Sequence, residues 1–345
     1  MSLAFERSDS VGRAVQVVRA GIIARDICRR GARGEVAAVF ERSLYWRIGD
    51  DFICIGEPAI GNGPTTLIVA ARVTELGVRQ GLRAIIGNER ITIGDLLFDF
   101  RNCATWRTPN WPAPLSSATL RTTCVMLAQR AAAESPADSL ARAAFGDDDT
   151  PLARIARPRI ARFASLMRQP PASSSPAKAG DPVITAPSEL IGRRLLDAPL
   201  SRGMTREGVV HDLIGLGYGL TPSGDDFLIG ALTMLDALEQ TNMHAALGHA
   251  VVAAADRSSP LSASFLRAAA DGHVGENVHT MIAAILTGDA DAAVAAAARI
   301  GHTSGWDALV GAVVTVTRMS EATCGATIPG CRATRSSGLR QDYRC

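Results

Sequence analysis

The sequence is poor in aromatic residues, has little net charge and contains no long apolar run. Phenylalanine, tryptophan and tyrosine make up 5% of the 345 residues, and the formal net charge is +2. Because the arginines are scattered and not interleaved with aromatic side chains, we expect no nucleic-acid partner. No run approaches the roughly 18 apolar residues of a spanning helix, and the opening residues, MSLAFERSDS, lack a secretory apolar core. We therefore expect no membrane association.

The cysteines form no metal-binding or redox pair. Seven are present, none of them in a Cys-x-x-Cys pair, and Cys324 and Cys331 are the two closest. No histidine follows them at the spacing of a zinc site, so we expect no metal bound by cysteine. Isolated thiols are typical of the reducing cytoplasm, where we expect the protein to act.

Three widespread catalytic signatures are also missing. The glycine run near residue 217 lacks the Lys-Ser/Thr ending of a P-loop. The chain contains no Gly-x-Ser-x-Gly nucleophile elbow and no His-Glu-x-x-His zinc motif. The sequence therefore gives no support to the enzyme classes that depend on these motifs.

The sequence divides into two parts that differ in the periodicity of their apolar residues. Short β-type runs, separated by turns of Gly, Asp, Asn and Pro, indicate strands over 36–40, 43–48, 52–55, 65–71 and 84–86. Beyond residue 117 the pattern becomes alanine-rich and helical. We therefore predict an α+β fold, in which an N-terminal antiparallel β-rich domain, a sandwich or partial barrel, precedes a mainly helical C-terminal domain.

The domain boundaries follow from changes in composition. Residues 10–30 fit either a short helix or a first strand, and a proline-rich break at 106–112 ends the β-type pattern. A later Pro-, Ser- and Ala-rich tract has too few apolar residues to pack. The predicted divisions are a β-rich domain at 10–112, a helical connection at 113–168, a flexible linker at 169–187, a helical domain at 188–320 and a disordered tail at 321–345.

A glycine-rich stretch, Gly215–Gly230, stands out in the helical part. Its alternating glycines lead into Thr221-Pro-Ser-Gly-Asp-Asp226 and then an apolar run. The proline fits the first turn of a helix, with either Thr221 or Ser223 as the capping residue. Helix starts present free backbone amides, which bind anions. We therefore predict a binding site at this loop-to-helix junction.

A second stretch repeats the first. Ser304-Gly-Trp-Asp-Ala-Leu-Val-Gly-Ala312 matches Ser223-Gly-Asp-Asp-Phe-Leu-Ile-Gly-Ala231 in its Ser, Gly, second Asp, Leu, Gly and Ala. This match indicates an internal duplication of a loop-to-helix unit. In that case two helix starts face one cleft, with Asp226 and Asp307 in equivalent places. His302, just ahead of the repeat, suits a general acid or base or a hydrogen-bond donor.

Such a cleft suits a small ligand that has an anionic end and an amide end. Free amides at helix starts favour phosphate or carboxylate. Paired aspartates instead accept hydrogen bonds from an amide or hold Mg²⁺, the one cofactor that the sequence leaves open.

Three other features contribute candidate residues or surface clusters. Ser264 and Arg267 are i, i+3 neighbours on a predicted helix. They either hold an oxyanion together or belong to a serine-capped amphipathic helix with a solvated arginine. The Gly61–Pro64 turn allows close approach of backbone to a ligand. Glu276, with Asn277 and His279, is interpreted as a surface cluster. The predicted catalytic residues are Asp225, Asp226, His302 and Asp307; the predicted substrate- or anion-binding residues are Asn62, Gly63, Gly219, Thr221, Ser223, Gly224, Ser264, Arg267, Ser304 and Gly305. No residue is assigned as a metal ligand.

Three motifs resemble a bacterial family first described as a domain of unknown function, the AllH-type family. They are Gly-Leu-Thr-Pro-Ser-Gly-Asp-Asp at 219–226, Gly-His-Thr-Ser-Gly-Trp-Asp at 301–307 and Gly-Asn-Gly-Pro at 61–64. The resemblance spans residues 35–318. It implies a subunit of oxamate carbamoyltransferase that works with two other subunits in allantoin and purine catabolism.

The implied reaction interconverts oxalurate and phosphate with oxamate and carbamoyl phosphate. Both products pair an anion with an amide, as the predicted cleft requires. The chain lacks the Ser-Thr-x-Arg-Thr loop with which ordinary transcarbamoylases hold carbamoyl phosphate. Whether this subunit is itself catalytic stays open. Two alternatives also stay open, a Mg²⁺-dependent enzyme on a phosphorylated small molecule and a non-catalytic scaffold subunit whose motifs serve as helix caps.

Overall fold

The computed structural model describes residues 13–31, 33–87, 89–168 and 205–324, with side chains up to residue 319. The linker predicted at 169–187, residues 188–204 of the predicted helical domain and residues 325–345 of the predicted tail lie outside the described residues. Residues 321–324, predicted as part of the disordered tail, are helical.

The N-terminal part is a closed β-barrel. Its strands are β1 Arg13–Gly21, β2 Arg33–Val39, β3 Ser43–Ile48, β4 Asp51–Gly56, β5 Thr66–Val69, β6 Arg83–Gly87, β7 Arg90–Ile93, β8 Leu96–Asp99 and β9 Ala104–Trp106. The strand order is β5-β4-β3-β2-β6-β7-β8-β1-β9, and a further β5–β1 pairing closes eight strands into a ring. The predicted α+β class is confirmed, and of the two predicted forms the barrel is the one present. The prediction of an antiparallel sheet is wrong: the sheet is mixed, because β1–β8, β1–β9 and β4–β5 run parallel.

Alternation along the strands fills the barrel with apolar side chains. In β3, Leu44, Trp46 and Ile48 are buried while the residues between them are more exposed. Ile91 and Ile93 alternate in the same way in β7. This period of two is what one buried face of a strand requires. The barrel therefore has its own hydrophobic core.

The segment at 10–30 contains both of the elements that its sequence allowed. β1 is followed directly by helix α1, Ile22–Arg30. Gly21 stands at the junction, where a Cβ atom would overlap the carbonyl oxygens of Gly63 and Pro64. A larger residue at this junction would therefore push away the Gly61–Pro64 turn.

The C-terminal part is helical and has a separate core. Its helices are α2 Ser117–Glu134, α3 Leu140–Phe145, α4 Pro151–Met167, α5 Arg206–Leu213, α6 Ser223–Ala237, α7 Thr241–Ala254, α8 Pro260–Ala270, α9 Glu276–Leu286, α10 Ala290–Ala297 and α11 Ser304–Cys324. None of the helices in the described ranges is long and apolar enough to cross a membrane.

Helices α6 and α11 cross at the centre of this helical core. A Cβ atom at Gly230 would overlap the backbone oxygen of Ala308, and one at Gly311 would overlap that of Phe227. Each helix therefore uses a glycine to approach the backbone of the other. Because Gly230 and Gly311 occupy the same position in the two sequence repeats, the crossing is pseudo-symmetric.

Candidate functional site

A cavity of about 540 Å³ lies between the barrel and the helical part. The Gly61–Pro64 turn borders it on the barrel side, and the starts of α6 and α11 border it on the helical side. Phe265, Ile229 and Val274 supply apolar wall. All three motifs of the sequence thus meet at one cavity, whose volume is that of a small-molecule site.

Glu276 of α9 fastens the barrel turn to the helical part. Its Oε2 atom accepts hydrogen bonds from the backbone nitrogen of Asn62 at 2.9 Å and from the side-chain nitrogen of Asn62 at 2.6 Å. The backbone nitrogen of Glu276 donates in return to the carbonyl oxygen of Asn62 at 2.8 Å. The interpretation of Glu276 as part of a surface cluster is therefore wrong, since this carboxylate joins the two parts of the molecule.

The two helix starts lie in direct contact. The hydroxyl oxygens of Thr221 and Ser304 are 2.9 Å apart, and both residues line the cavity. Asp226, one turn into α6, also lines it, while Asp307, the equivalent residue of α11, is fully buried. The repeat in the sequence thus corresponds to two helix starts that meet at one cavity.

The expected caps do not form at α6. The helix begins at Ser223, and Pro222 precedes it as the capping residue with no side-chain capping bond. The hydroxyl of Thr221 instead pairs with that of Ser304 across the helix interface. The hydroxyl of Ser223 interacts with the carboxyl group of Asp307 and lowers its pKa. Contact between the two repeats takes up both hydroxyls, so neither Thr221 nor Ser223 caps its own helix.

Burial controls the charge of Asp226. Its side chain is 6% exposed, and desolvation followed by repulsion from Asp307 raises its pKa well above the ordinary range. The hydroxyls of Ser304 and Thr221 act in the opposite direction but do not offset burial. In the part of the chain that the structure describes, the Oδ2 atom of Asp226 has no hydrogen-bond partner.

Asp307 has similar surroundings on the other helix. Its Oδ1 atom accepts a hydrogen bond of 2.6 Å from the backbone nitrogen of Leu140. Burial raises its pKa to about 7, although the bond from Leu140 and the hydroxyls of Ser223 and Thr303 lower it. Its Oδ2 atom likewise has no hydrogen-bond partner among the described residues.

Asp225 faces away from the cavity and anchors the glycine loop. Its Oδ1 accepts a hydrogen bond from the backbone nitrogen of Gly215 at 2.8 Å. Its Oδ2 accepts bonds from Ser262, at 2.6 Å, and from Ser258. Since both oxygens are occupied and the side chain is fully buried, Asp225 holds the loop in place ahead of α6.

Two of the predicted binding glycines serve helix packing. A Cβ atom at Gly224 would overlap the backbone oxygen of Leu213, and one at Gly305 would overlap that of Ala297. Glycine at these places lets α5 and α10 lie against the helix starts. Gly63 and Asn62, by contrast, line the cavity.

Four more predicted residues, besides Asp225, Asp307, Ser223, Gly224 and Gly305, lie outside the cavity lining. Ser264 donates to the backbone oxygen of Leu261, and Arg267 pairs with Asp256. His302 is largely exposed and lies 3.2 Å from Asp138. Gly219 lies in open space next to Tyr218, which is 93% exposed.

Sequence reasoning missed two cationic residues of the cavity. Arg42 follows β2, and Arg299 follows α10; both line the cavity. Arg299 donates to the side-chain oxygen of Asn277 at 3.3 Å. In the described ranges neither arginine forms an ion pair with a carboxylate. Neither arginine stands in one of the motifs or at a spacing that indicates a ligand.

The described residues contain no group of three or more His, Cys, Asp or Glu side chains placed to hold a metal ion. Asp225 and Asp226 cannot act as a pair of ligands in this arrangement, because Asp225 is fully hydrogen-bonded on the far side of its helix start. The Mg²⁺ hypothesis therefore gains no support from the geometry of the site.

The fold and the site define a two-part α+β protein with a small-molecule cavity between a β-barrel and a helical core. The family model described as oxamate carbamoyltransferase subunit AllH matches residues 213–316, and the model of the AllH family N-terminal domain matches residues 14–105. The chain belongs to the AllH family, as its motifs predicted. Comparison with the curated proteins and with the solved structures gave no significant match. The family is that of a transferase subunit, which implies partner subunits.

Proposed function

We propose that this chain is a subunit of a carbamoyltransferase that interconverts oxalurate and phosphate with oxamate and carbamoyl phosphate. It works with two other protein subunits in allantoin nitrogen catabolism. The family membership supports the transferase, and the cavity supports a small-molecule substrate. Cys28, Cys54, Cys103 and Cys124 are free thiols, which supports a cytoplasmic location.

The observation that carries the proposal is the convergence of all three motifs on one cavity of about 540 Å³. A cavity of this volume has room for both small substrates together, as a group transfer between them requires. Its walls come from the barrel and from both repeats. The motifs therefore mark the substrate site.

Arg42 and Arg299 suit the anionic ends of the substrates. Guanidinium groups bind phosphate and carboxylate through paired hydrogen bonds, which are stronger than bonds between neutral groups. Both arginines line the cavity, and a bound anion would neutralise them. The same two side chains serve carbamoyl phosphate, phosphate, oxamate and oxalurate, because each of these carries a carboxylate or a phosphate.

The Thr221–Ser304 hydroxyl pair suits the reacting end. In the transfer, the oxamate nitrogen bonds to the carbamoyl carbon, the bond from that carbon to the phosphate oxygen breaks, and the nitrogen loses a proton that the phosphate gains. Hydroxyl groups both donate and accept hydrogen bonds, and this pair lines the cavity in front of Asp226. It therefore holds the amide and carries its proton.

The test is turnover by the complex assembled from this chain and its partner subunits. Phosphate-dependent conversion of oxalurate to oxamate and carbamoyl phosphate is measured for the wild type and for Arg299→Ala. Loss of one charged hydrogen-bonding group predicts a fall in kcat/KM of about 10- to 100-fold. Arg154→Ala, at an exposed position of α4 where the side chain pairs with Asp149, is the control and keeps wild-type turnover.

Two results would reject the proposal. Wild-type complex without phosphate-dependent turnover of oxalurate rules out the reaction. Turnover that Arg299→Ala leaves unchanged while the wild type is active rules out this cavity as the substrate site.

A further inference from the structure

Two buried carboxyl groups stand behind the hydroxyl pair at the cavity. Asp226 is 6% exposed and Asp307 is fully buried, in equivalent places on α6 and α11. Each keeps one oxygen, Oδ2, without a hydrogen-bond partner among the described residues. A buried polar atom left without a hydrogen-bond partner destabilises the folded state. Two such oxygen atoms occur here, at equivalent positions of the two repeats and beside one cavity. We therefore look for a functional role of these carboxyl groups.

The charged groups that act on this pair are themselves carboxylates. Repulsion from Asp307 and Asp225 raises the pKa of Asp226, and repulsion from Asp138 raises the pKa of Asp307. The groups that offset them are neutral donors, namely hydroxyls and the backbone nitrogen of Leu140. Neither cavity arginine is among the groups that shift the pKa of Asp226 or Asp307. A further negative charge beside the hydroxyl pair would therefore meet repulsion from these carboxyl groups.

We propose that Asp226, backed by Asp307, makes the hydroxyl end of the cavity accept an uncharged carbamoyl or primary amide group and reject a carboxylate. This specificity rests on the proposed function. It adds that the carbamoyl or primary amide group is what this end of the cavity selects. An amide offers an N–H donor to the carboxyl group and a carbonyl acceptor to the hydroxyls of Thr221 and Ser304. A carboxylate offers only acceptors and a second negative charge, so the site discriminates by repulsion.

The discrimination should depend on pH. Burial raises the pKa of Asp307 to about 7 and that of Asp226 well above its ordinary value. Below about pH 7 Asp307 is neutral, and above it Asp307 carries a negative charge next to Asp226. Oxalate binding should therefore weaken as the pH rises through about 7, whereas oxamate binding changes little.

The probes are oxamate and oxalate, two acids of nearly equal size that differ in one amide group. Titration calorimetry on the full chain measures the Kd of each acid near pH 6 and near pH 8.5. We expect wild-type protein to prefer oxamate by at least tenfold near pH 8.5, or about 1.4 kcal/mol, and by less near pH 6. Because the wild type alone supplies this comparison, it does not depend on the folding of any variant.

A double variant, Asp226→Asn with Asp307→Asn, removes both carboxylates and keeps their shape. We expect its preference for oxamate to fall to within about threefold at both pH values, because the arginines then favour the doubly charged acid. Asp256→Asn, at an exposed position outside the cavity, is the matched control and keeps the wild-type preference.

The outcomes separate this inference from the proposed function. Equal wild-type affinity for both acids, a preference independent of pH, or no binding of either acid would overturn the inference, even where the assembled complex turns over oxalurate. Selective, pH-dependent binding of oxamate would support it, even where the complex performs no carbamoyl transfer and the proposed function fails.

Discussion

Asp225 and Asp226 are neighbours in the sequence with opposite surroundings. Asp225 has both oxygens hydrogen-bonded, to Gly215 and to serines 258 and 262, whereas Asp226 has an oxygen with no partner among the described residues. One aspartate builds the loop, and the other faces the cavity. The sequence assigns both to catalysis, because the difference depends on which way each side chain leaves the first turn of α6.

Asp307 allows a prediction about stability. Its folded pKa of about 7 lies above the value of about 3.9 for an unfolded aspartate. Between these values the native state binds more protons than the unfolded state, so the free energy of unfolding falls as the pH rises. We expect Asp307→Asn to remove this dependence, which amounts to at most about 1.4 kcal/mol per pH unit for one proton.

The measurement is urea unfolding of wild type and Asp307→Asn at several pH values between about 4 and 8. The variant should gain stability relative to wild type as the pH rises. Asp256→Asn is the control, since its carboxylate is exposed and its curve should parallel that of wild type. Parallel curves for Asp307→Asn would show that burial leaves this carboxyl group unperturbed.

Two arginines show what local sequence could and could not predict about the site. Arg267 was predicted from its i, i+3 spacing with Ser264, but the chain before α8 brings Asp256 within reach and forms an ion pair. Arg299 has no comparable local signal and still lines the cavity. Local spacing predicts which side chains share a face of a helix, whereas the fold decides which face meets a ligand.

Among the elements, long patterns were predictable and short ones were not. The pattern over 223–240 corresponds to α6, and the predicted runs at 43–48 and 52–55 correspond to β3 and β4. Strands β7 to β9 were missed, because each has only three or four residues, and β9 pairs with β1 at the other end of the barrel sequence. A strand of that length carries too little alternation to be distinguished from a turn.

The close crossing of α6 and α11 joins the two repeats into one structural unit, and substitution of its glycine tests this role. A methyl group at Gly230 would meet the backbone oxygen of Ala308, which cannot move without shifting α11. We expect Gly230→Ala to lower the free energy of unfolding by about 1–3 kcal/mol through overpacking, despite the better helix propensity of alanine.

Gly248→Ala in α7 is the matched control for this change. A Cβ atom there would lie 3.3 Å from the Cβ of Ala270, a side-chain contact that small shifts relieve. We expect this variant to stay within about 1 kcal/mol of wild type in urea unfolding. An equal loss in both variants would mean that the close crossing at Gly230 has no special role.

On the scale of the whole molecule, the site exists only where two separate cores meet. Besides the contact of Glu276 with Asn62, Tyr45 of the barrel packs edge-on against Phe265 of the helical part, with ring centroids 6.4 Å apart. The sequence predicted both parts and their order. It did not predict their interface, because contacts such as Asn62–Glu276 join residues 214 positions apart.

Glu276→Ala should therefore change the site more than the fold. Without this carboxylate the backbone and side-chain nitrogens of Asn62 lose their acceptor, while the barrel core and the helical core stay intact. We expect amide hydrogen exchange at residues 57–66 to accelerate by about tenfold or more. Oxamate affinity should fall by about tenfold, or 1.4 kcal/mol, with little change in Tm.

Glu35→Ala, which removes an exposed ion pair with Arg47 on the barrel surface, is the control for Glu276→Ala. It should leave exchange at residues 57–66 and oxamate affinity at wild-type values, since exposed pairs contribute little. A Glu276→Ala protein with unchanged exchange in the turn would show that other contacts suffice to hold it. A large fall in Tm would instead show that Glu276 stabilises the two cores themselves and does not merely position the Gly61–Pro64 turn at the cavity.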